Sequence, residues 1–146
     1  MPESNQASPK YVLLPEQRIN LHQRALRAQR LGQAEVCGAL VTDAKCRLGL
    51  LFLDNRTASP GCFKIRSSDL RAAQKAAKSM GKKTIGTFHS HPVSEAVPGR
   101  SDLLRAKLNS FMLIYDVCGR EVRLWKIKKN NSGRTYKEVP ILTAMR

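Results

Sequence analysis

Two histidines and an aspartate are spaced as the ligands of a metal ion would be. His89 and His91 are separated by one residue, and Asp102 lies eleven positions after His91. Residues 84–88, just before them, form a short apolar run that predicts a buried strand, along which alternate side chains point to the same face. Both imidazoles therefore emerge together at the end of this strand. A loop of ten residues with two prolines can bring Asp102 back beside them.

Two imidazoles and one carboxylate leave a fourth coordination position open. This is typical of a catalytic zinc site, because structural zinc sites are usually closed by four protein ligands. A histidine pair alone is a weak signal, since most such pairs are ordinary core or surface residues. Glu35 adds a second element, because it enters an otherwise apolar run over residues 36–41. A carboxylate there is costly to bury unless it has a charged or hydrogen-bonded partner.

This set of residues resembles the JAMM (MPN-type) zinc metalloprotease family in its compact prokaryotic stand-alone form. The pattern is a glutamate, then His-x-His-Pro, then an aspartate, and the resemblance extends over residues 15–136. It implies one zinc ion per chain, held by His89, His91 and Asp102. It also implies that Glu35 is the catalytic base, which activates a zinc-bound water as the nucleophile and then passes the proton to the leaving amine.

The resemblance implies a peptidase or isopeptidase, similar to a deubiquitinase, that cuts after the C-terminal tail of a ubiquitin-like protein. The reaction would be deconjugation or precursor processing. Compact members of the family often act beside E1- and E2-like proteins, including in antiviral (antiphage) defence. Two alternatives stay open: removal of an amino acid from the tail of a sulfur-carrier protein in sulfur metabolism, and a non-catalytic MPN scaffold or binding module. Scaffolds of this kind typically lose metal ligands, whereas this chain retains them.

One position departs from the family pattern. The family usually has a serine three residues before the aspartate, where it helps to hold the oxyanion, and this chain has Gly99 there. Ser101, Ser94 or a backbone N–H are the alternatives as substitute donors. Loss of an oxyanion donor costs about 10²–10³ in rate, so the departure affects the expected activity and leaves the predicted ligands unchanged.

Two further side chains are candidates for supporting the site. Ser90 lies between the two histidines. Its side chain approaches the metal, approaches Glu35, or only fills space at the tight end of the strand. Members of the family commonly have an asparagine after the second strand of the predicted hairpin, and Asn55 has this place. We expect Asn55 to hold its loop or to orient the backbone near the site.

Charge and composition limit the classes of partner. The chain has a net charge of +15 and a sequence pI near 10.3, which favours an acidic protein partner through long-range attraction. Nucleic acid is disfavoured, because only 5% of the residues are aromatic and no base-stacking platform is evident. No apolar run of about 18 residues and no signal peptide is visible, so we expect a cytoplasmic protein without a membrane span. The four cysteines lack metal-site spacing and are expected to be reduced.

The apolar pattern predicts a mixed α+β fold, with a single curved mixed β-sheet flanked by helices. Residues 1–10 are polar and predicted to be loose, and residues 11–146 are predicted to form one domain. Helices are predicted from Pro15 to Gly32, from Ser67 or Ser68 to Gly81, and over residues 101–108. Strands are predicted at residues 36–41, 48–53, 62–65, 84–88, 111–117, 122–127 and 134–139. Residues 11–14 are either a short edge strand or an apolar segment that packs ahead of the first helix. The family resemblance implies the same architecture, which is cytidine-deaminase-like.

Overall fold

The computed structural model of the protein describes residues 10–32, 35–57, 62–131 and 133–143. The predicted loose segment at residues 1–10 therefore lies, except for Lys10, outside the described residues. The described ranges contain three helices: α1 (Pro15–Arg30), α2 (Ser67–Ser79) and α3 (Arg100–Arg105). They contain eight strands: β1 (Tyr11–Leu13), β2 (Cys37–Thr42), β3 (Leu48–Leu53), β4 (Lys83–His91), β5 (Phe111–Asp116), β6 (Glu121–Asn130), β7 (Gly133–Val139) and β8 (Ile141–Thr143). No helix in these ranges combines the length and the apolarity needed to cross a membrane.

Six of the strands form one mixed sheet in the order β3-β2-β4-β5-β6-β7. Neighbouring strands are antiparallel except β4 and β5, which are parallel. A parallel pair needs a crossover connection, and the chain between His91 and Phe111, which includes α3, supplies it. The crossover starts at the end of β4 that carries both histidines, and α3 returns beside that end.

The mixed α+β fold predicted from the sequence is confirmed, with a mixed sheet and helices packed on it. In addition, β1 and β8 form a small parallel sheet that pairs residues 11–13 with residues 141–143. This pair joins segments from distant parts of the chain, and local sequence patterns give no signal for such a contact. The domain bounds at residues 11–146 stay a prediction.

The prediction of a strand at residues 62–65 is wrong. The segment has no regular secondary structure and no partner strand in the described part of the chain. The side chain of Asn55 instead accepts a hydrogen bond from the Lys64 N–H at 3.0 Å and donates one to the Cys62 carbonyl at 3.2 Å. The alternating sequence pattern therefore marks a segment held by the Asn55 side chain, the Arg56 N–H and the Arg105 guanidinium rather than by a sheet.

The helix predicted over residues 101–108 is shorter than expected. It ends at Arg105, because Ala106 has an extended backbone and Asn109 a left-handed one, with φ of 65°. The N–H of Asn109 donates to the carbonyl of Ile127 at 2.8 Å, which ties this turn to β6. Asparagine tolerates the left-handed region better than most residues, so the chain leaves the helix early and enters β5.

Apolar clusters cover both faces of the six-stranded sheet. The larger cluster packs α1, through Leu21 and Ala25, against the central strands. The smaller cluster includes Trp125 and lies under the crossover, where Ala96 is fully buried. The Nε1–H of Trp125 donates a hydrogen bond to the Ala96 carbonyl at 2.8 Å. The sheet therefore anchors the loop between the histidines and Asp102.

Candidate metal centre

Strand β4 and helix α3 place the three predicted ligands in one buried position. His89 and His91 lie on the same face at the end of β4, as the alternation of side chains along a strand requires. Asp102 lies in the first turn of α3, where its carboxylate accepts a hydrogen bond from the Gly99 N–H at 2.8 Å. His89 is fully buried, and His91 and Asp102 are each only 6% exposed.

The three donor atoms form a nearly equilateral triangle. The Nε2 atoms of His89 and His91 are 3.1 Å apart, and each lies 3.3 Å from Oδ2 of Asp102. Zinc bonds of about 2.0–2.1 Å at a tetrahedral angle separate two ligand atoms by about 3.3 Å. The triangle therefore fits one tetrahedral zinc ion. Within the described ranges, no other group of His, Cys, Asp and Glu side chains brings three ligand atoms so close.

The electrostatics of these side chains suit metal ligands. Burial lowers the pKa of His89, which favours the neutral imidazole that binds metals. Burial alone would raise the pKa of Asp102, but its hydrogen bonds with His89 and His91 outweigh this and lower it. Burial alone would also lower the pKa of His91, and the hydrogen bonds with Asp102 and with the Glu95 carbonyl outweigh this and raise it.

The two imidazoles differ in what holds the second ring nitrogen. Nδ1 of His91 lies 2.7 Å from the Glu95 carbonyl and donates to it, which leaves Nε2 free to bind a metal. Nδ1 of His89 has no hydrogen-bond partner among the described residues. Its ring is instead stacked on Phe63, with the ring centroids 4.3 Å apart. Sequence reasoning missed Glu95 and Phe63, because a carbonyl group and a loop aromatic leave no pattern in the sequence.

Glu35 lies beside this triangle, just before β2 rather than within the apolar strand itself. It is only 3% exposed, and its Oε1 atom has no hydrogen-bond partner among the described residues. Burial raises the pKa of Glu35 from 4.5 to about 7, while the charge of His91 opposes this rise and that of Asp102 adds to it. A carboxylate with such a pKa can both accept and donate a proton near neutral pH.

Ser90 and Asn55 hold the backbone around Glu35 from two sides. The Oγ of Ser90 accepts a hydrogen bond from the Val36 N–H at 3.0 Å, and the Ser90 N–H donates to the Val36 carbonyl at 3.0 Å. The side-chain amide of Asn55 donates to the Glu35 carbonyl at 3.1 Å. Of the alternatives for Ser90, the structure therefore favours the Glu35 side. Asn55 both holds its own loop and orients the backbone of Glu35.

The candidate oxyanion donors lie at or before the start of α3. The N–H of Gly99 is already used by Asp102, so this backbone group is not free to bind an oxyanion. Ser101 is half-buried beside Asp102, whereas Ser94 is exposed in a turn. Gly99 itself has an ordinary extended backbone, with φ of −83° and ψ of 173°.

Comparison with known proteins assigns the chain to a family. Residues 19–128, about three quarters of the chain, match the family described as prokaryotic homologs of the JAB domain. The chain belongs to the prokaryotic JAB-domain family. A curated relative, the desampylase of Haloferax volcanii, is 30% identical over 94 residues. That match includes 62% of this chain and 66% of the relative, so this JAB domain spans just under two thirds of the relative's length.

Solved structures show the same JAB fold. Protein DSY2949 from Desulfitobacterium hafniense is 25% identical, with a TM-score of 0.72 over 93% of this chain and 94% of that one. A structure described as JAMM, a metalloprotease-like zinc site in the proteasome and signalosome, is 16% identical. Its TM-score is 0.50, over 92% of this chain and 98% of that chain, and this likeness concerns the fold alone.

Two grooves open at the site of this JAB domain. The larger has a volume of about 660 Å³, reaches Asp102 and runs over β4, between α2 with the loop at Phe63 and the connection from α3 to β5. The smaller has a volume of about 360 Å³, reaches Glu35 and lies between α1 and residues 52–56. The larger groove is therefore lined by a candidate metal ligand, and the smaller groove by the buried glutamate.

Proposed function

We propose that the protein is a zinc-dependent peptidase or isopeptidase that cleaves after the C-terminal tail of a ubiquitin-like protein. The observation that carries the proposal is the triangle of His89, His91 and Asp102 with a buried, proton-exchanging Glu35 beside it. The desampylase relative, named for removing a ubiquitin-like modifier, supports the substrate class. Two imidazoles and one carboxylate within reach of one ion, with a fourth position open, support the choice of zinc.

The chemistry follows from the side chains of the site. His89, His91 and Asp102 would hold zinc, which lowers the pKa of a bound water from 15.7 to about 7 and polarises a carbonyl group. Glu35 takes a proton from the attacking water and returns it to the leaving nitrogen. Ser90 and Asn55 keep the backbone of Glu35 in place during both transfers.

The two grooves give the substrate a direction. Glu35 must protonate the leaving nitrogen, so the leaving group belongs in the smaller groove, which Glu35 lines. The acyl side of the scissile bond then belongs in the larger groove, which Asp102 lines. An extended tail would lie over β4 and end at the triangle, with the released amine on the side of α1.

A specific observation favours a second candidate, the removal of one amino acid from the tail of a sulfur-carrier protein. The smaller groove is lined by Arg24, Arg27 and Arg56, and such a wall suits the carboxylate of a released amino acid. Arg56 is shared with Asp54 and Asp69, each at 3.5 Å, and Arg24 lies over the ring of Phe52 at 4.3 Å. Substitution of Arg27 therefore tests this candidate. Cleavage of a substrate that releases a single amino acid is compared with cleavage of an isopeptide-linked protein.

Cleavage of a tail fusion tests the proposed function. The zinc-loaded protein should cut a ubiquitin-like tail from a C-terminal reporter and contain about one zinc per chain by metal analysis. A chelator should stop cleavage, and added zinc should restore it. Protein that holds one zinc and cuts no tail would be a binding module, and intact protein that holds no zinc would contradict the proposed metal.

The Gly99→Ser substitution should raise kcat on the same fusion by about 10- to 100-fold, because it restores the hydroxyl that the family uses at the oxyanion. A Cβ atom at Gly99 would lie 3.5 Å from Oδ2 of Asp102, an ordinary contact, and the backbone there suits any residue. Gly99→Ala is the matched control, since it adds the Cβ atom without the hydroxyl. Equal rates for the two variants would show that the hydroxyl has no role.

A further inference from the structure

All the charged side chains on the wall of the larger groove are cationic, apart from Asp102 at the metal triangle. They come from the loop before α2, the start of β4, α3, its connection to β5, and β6: Lys64, Lys83, Arg105, Lys107 and Lys126. In the described part of the chain, none of these five makes an ion pair with a carboxylate. Arg105 and Lys126 contact the Phe63 carbonyl and the Phe111 ring, so an occupant of the groove would meet above all the charges of Lys64, Lys83 and Lys107.

The floor of this groove leads straight to the metal triangle. The pairing of β2 with β4 shifts register between Leu40 and Val41, so that Val41 pairs with Thr84 and Leu40 with Gly86. This irregularity puts Thr84 on the same face as Thr87 and His89. The groove is lined by residues 83–87 of β4. A strand rises about 3.3 Å per residue, so the distance along β4 from Lys83 to His89 at the triangle is about 20 Å, the length of about six residues of an extended tail.

The cations are distributed along the whole length of this floor. Arg105 is at the metal end, where its guanidinium donates a hydrogen bond to the Phe63 carbonyl at 2.9 Å across the groove. Lys83 is at the far end, beside the turn at residues 107–110 that contains Lys107. Both lysines are exposed, and the buried Oγ1 of Thr84 between the ends has no hydrogen-bond partner among the described residues.

We propose that this groove makes the enzyme selective for a modifier whose tail has acidic side chains four to six residues before the scissile bond. The proposal rests on the proposed function and adds the charge of the substrate to it. Acidic side chains at that distance would lie beside Lys83 and Lys107. One exposed ion pair contributes a factor of about 1.5 to 5 in affinity, so two pairs, together with equal repulsion of a basic tail, give a preference of at least about fivefold.

The test uses three fluorogenic tail peptides that differ only at those positions, where they have Glu, Gln or Lys. The zinc-loaded wild-type protein should show kcat/KM at least about fivefold higher for the Glu peptide than for the Lys peptide, mainly through KM. Raising the salt concentration from about 0.05 M to 0.5 M should reduce the difference, because salt screens exposed charges. The Lys83→Glu, Lys107→Glu double variant should reverse the order of the Glu and Lys peptides.

The Lys75→Glu, Lys78→Glu double variant is the matched control. It makes the same change in total charge on exposed positions of α2 that do not line the groove, and it should keep the wild-type order of peptides. Thermal unfolding and zinc content of each variant check that the fold and the metal site are intact. A control variant that reverses the order as well would show that overall charge, and not the groove, makes the choice.

Failure of this inference can be told apart from failure of the proposed function. Equal cleavage of all three peptides by the wild-type protein would overturn the charge selectivity and leave the peptidase function standing. If the zinc-loaded protein cleaves none of them, the peptidase function fails. In that case fluorescence anisotropy of the same peptides decides the inference: tighter binding of the Glu peptide, lost in the groove variant, supports the selectivity, and equal binding overturns it.

Discussion

The Glu35→Gln protein should cleave a ubiquitin-like tail fusion about 10²–10⁴-fold more slowly than the wild-type protein, the range expected for loss of a general acid–base residue. Glutamine has the same shape but cannot take a proton from water. Because Glu35 is not one of the three triangle residues, the variant should keep about one zinc per chain. Steady-state kinetics and metal analysis of the same sample measure both effects.

The matched control for this variant is Glu16→Gln, which removes one exposed carboxylate from the first turn of α1. It should leave both cleavage and zinc content unchanged. A Glu35→Gln protein with wild-type kcat would show that another group moves the proton, and a variant without zinc would show that Glu35 supports the metal site itself.

The same substitution should change how stability depends on pH in the metal-free protein. The pKa of Glu35 is raised from 4.5 to about 7 by burial, so between these values the folded chain retains a proton that the unfolded chain releases. The free energy of unfolding therefore falls as pH rises through this window, by about 3 kcal/mol in total. Glutamine does not titrate, so the variant should lack this loss of stability. Between pH 4.5 and pH 8, denaturant titrations with chelator should show its free energy of unfolding rising by the same amount relative to that of the wild type.

The Asp102→Asn protein should bind zinc at least about 100-fold more weakly, since loss of a mere supporting partner of a ligand already costs 10–100-fold. An amide keeps the size of the carboxylate but loses the negative charge. Cleavage should fall with zinc occupancy and recover partly when zinc is added in excess. The Glu35→Gln protein should not recover in this way, so competition with a chromophoric chelator and zinc titration of activity together separate a ligand from a base.

Asp116→Asn is the matched control for Asp102→Asn. Asp116 is also a buried carboxylate, 9% exposed, and its Oδ1 accepts a hydrogen bond from the Gly119 N–H at 2.9 Å at the end of β5. Its substitution should lower stability without changing zinc affinity. Zinc binding of wild-type strength by the Asp102→Asn protein would contradict the assignment of Asp102 as a ligand.

Much of the candidate site follows from local sequence, because local geometry determines it. Strand alternation places His89 and His91 on one face, and a proline-containing loop of ten residues suffices to return Asp102 to them. The apolar surroundings of Glu35 indicate the burial that raises its pKa. The ligand spacing involves residues within about a dozen positions of one another, and the raised pKa of Glu35 follows from burial. Both can therefore be predicted from local sequence.

The parts that could not be predicted depend on contacts between distant segments. The stacking of Phe63 on His89 and the hydrogen bond from Trp125 to Ala96 join elements that no periodic pattern links. The segment at residues 62–65 alternates like a strand, yet its hydrogen bonds are made with the side chains of Asn55 and Arg105 and with the N–H of Arg56. The two grooves likewise arise from the packing of several elements.

The whole candidate ligand set lies within one strand and the crossover that follows it. Zinc bound there would join the end of β4 to α3, and the free energy of metal binding would add to the stability of the connection between them by thermodynamic linkage. Hydrogen exchange and proteolysis should therefore respond to zinc most strongly at residues 92–110, the connection that contains α3. In a cell, the supply of zinc would then determine the resistance of the protein to proteolysis as well as its rate of catalysis.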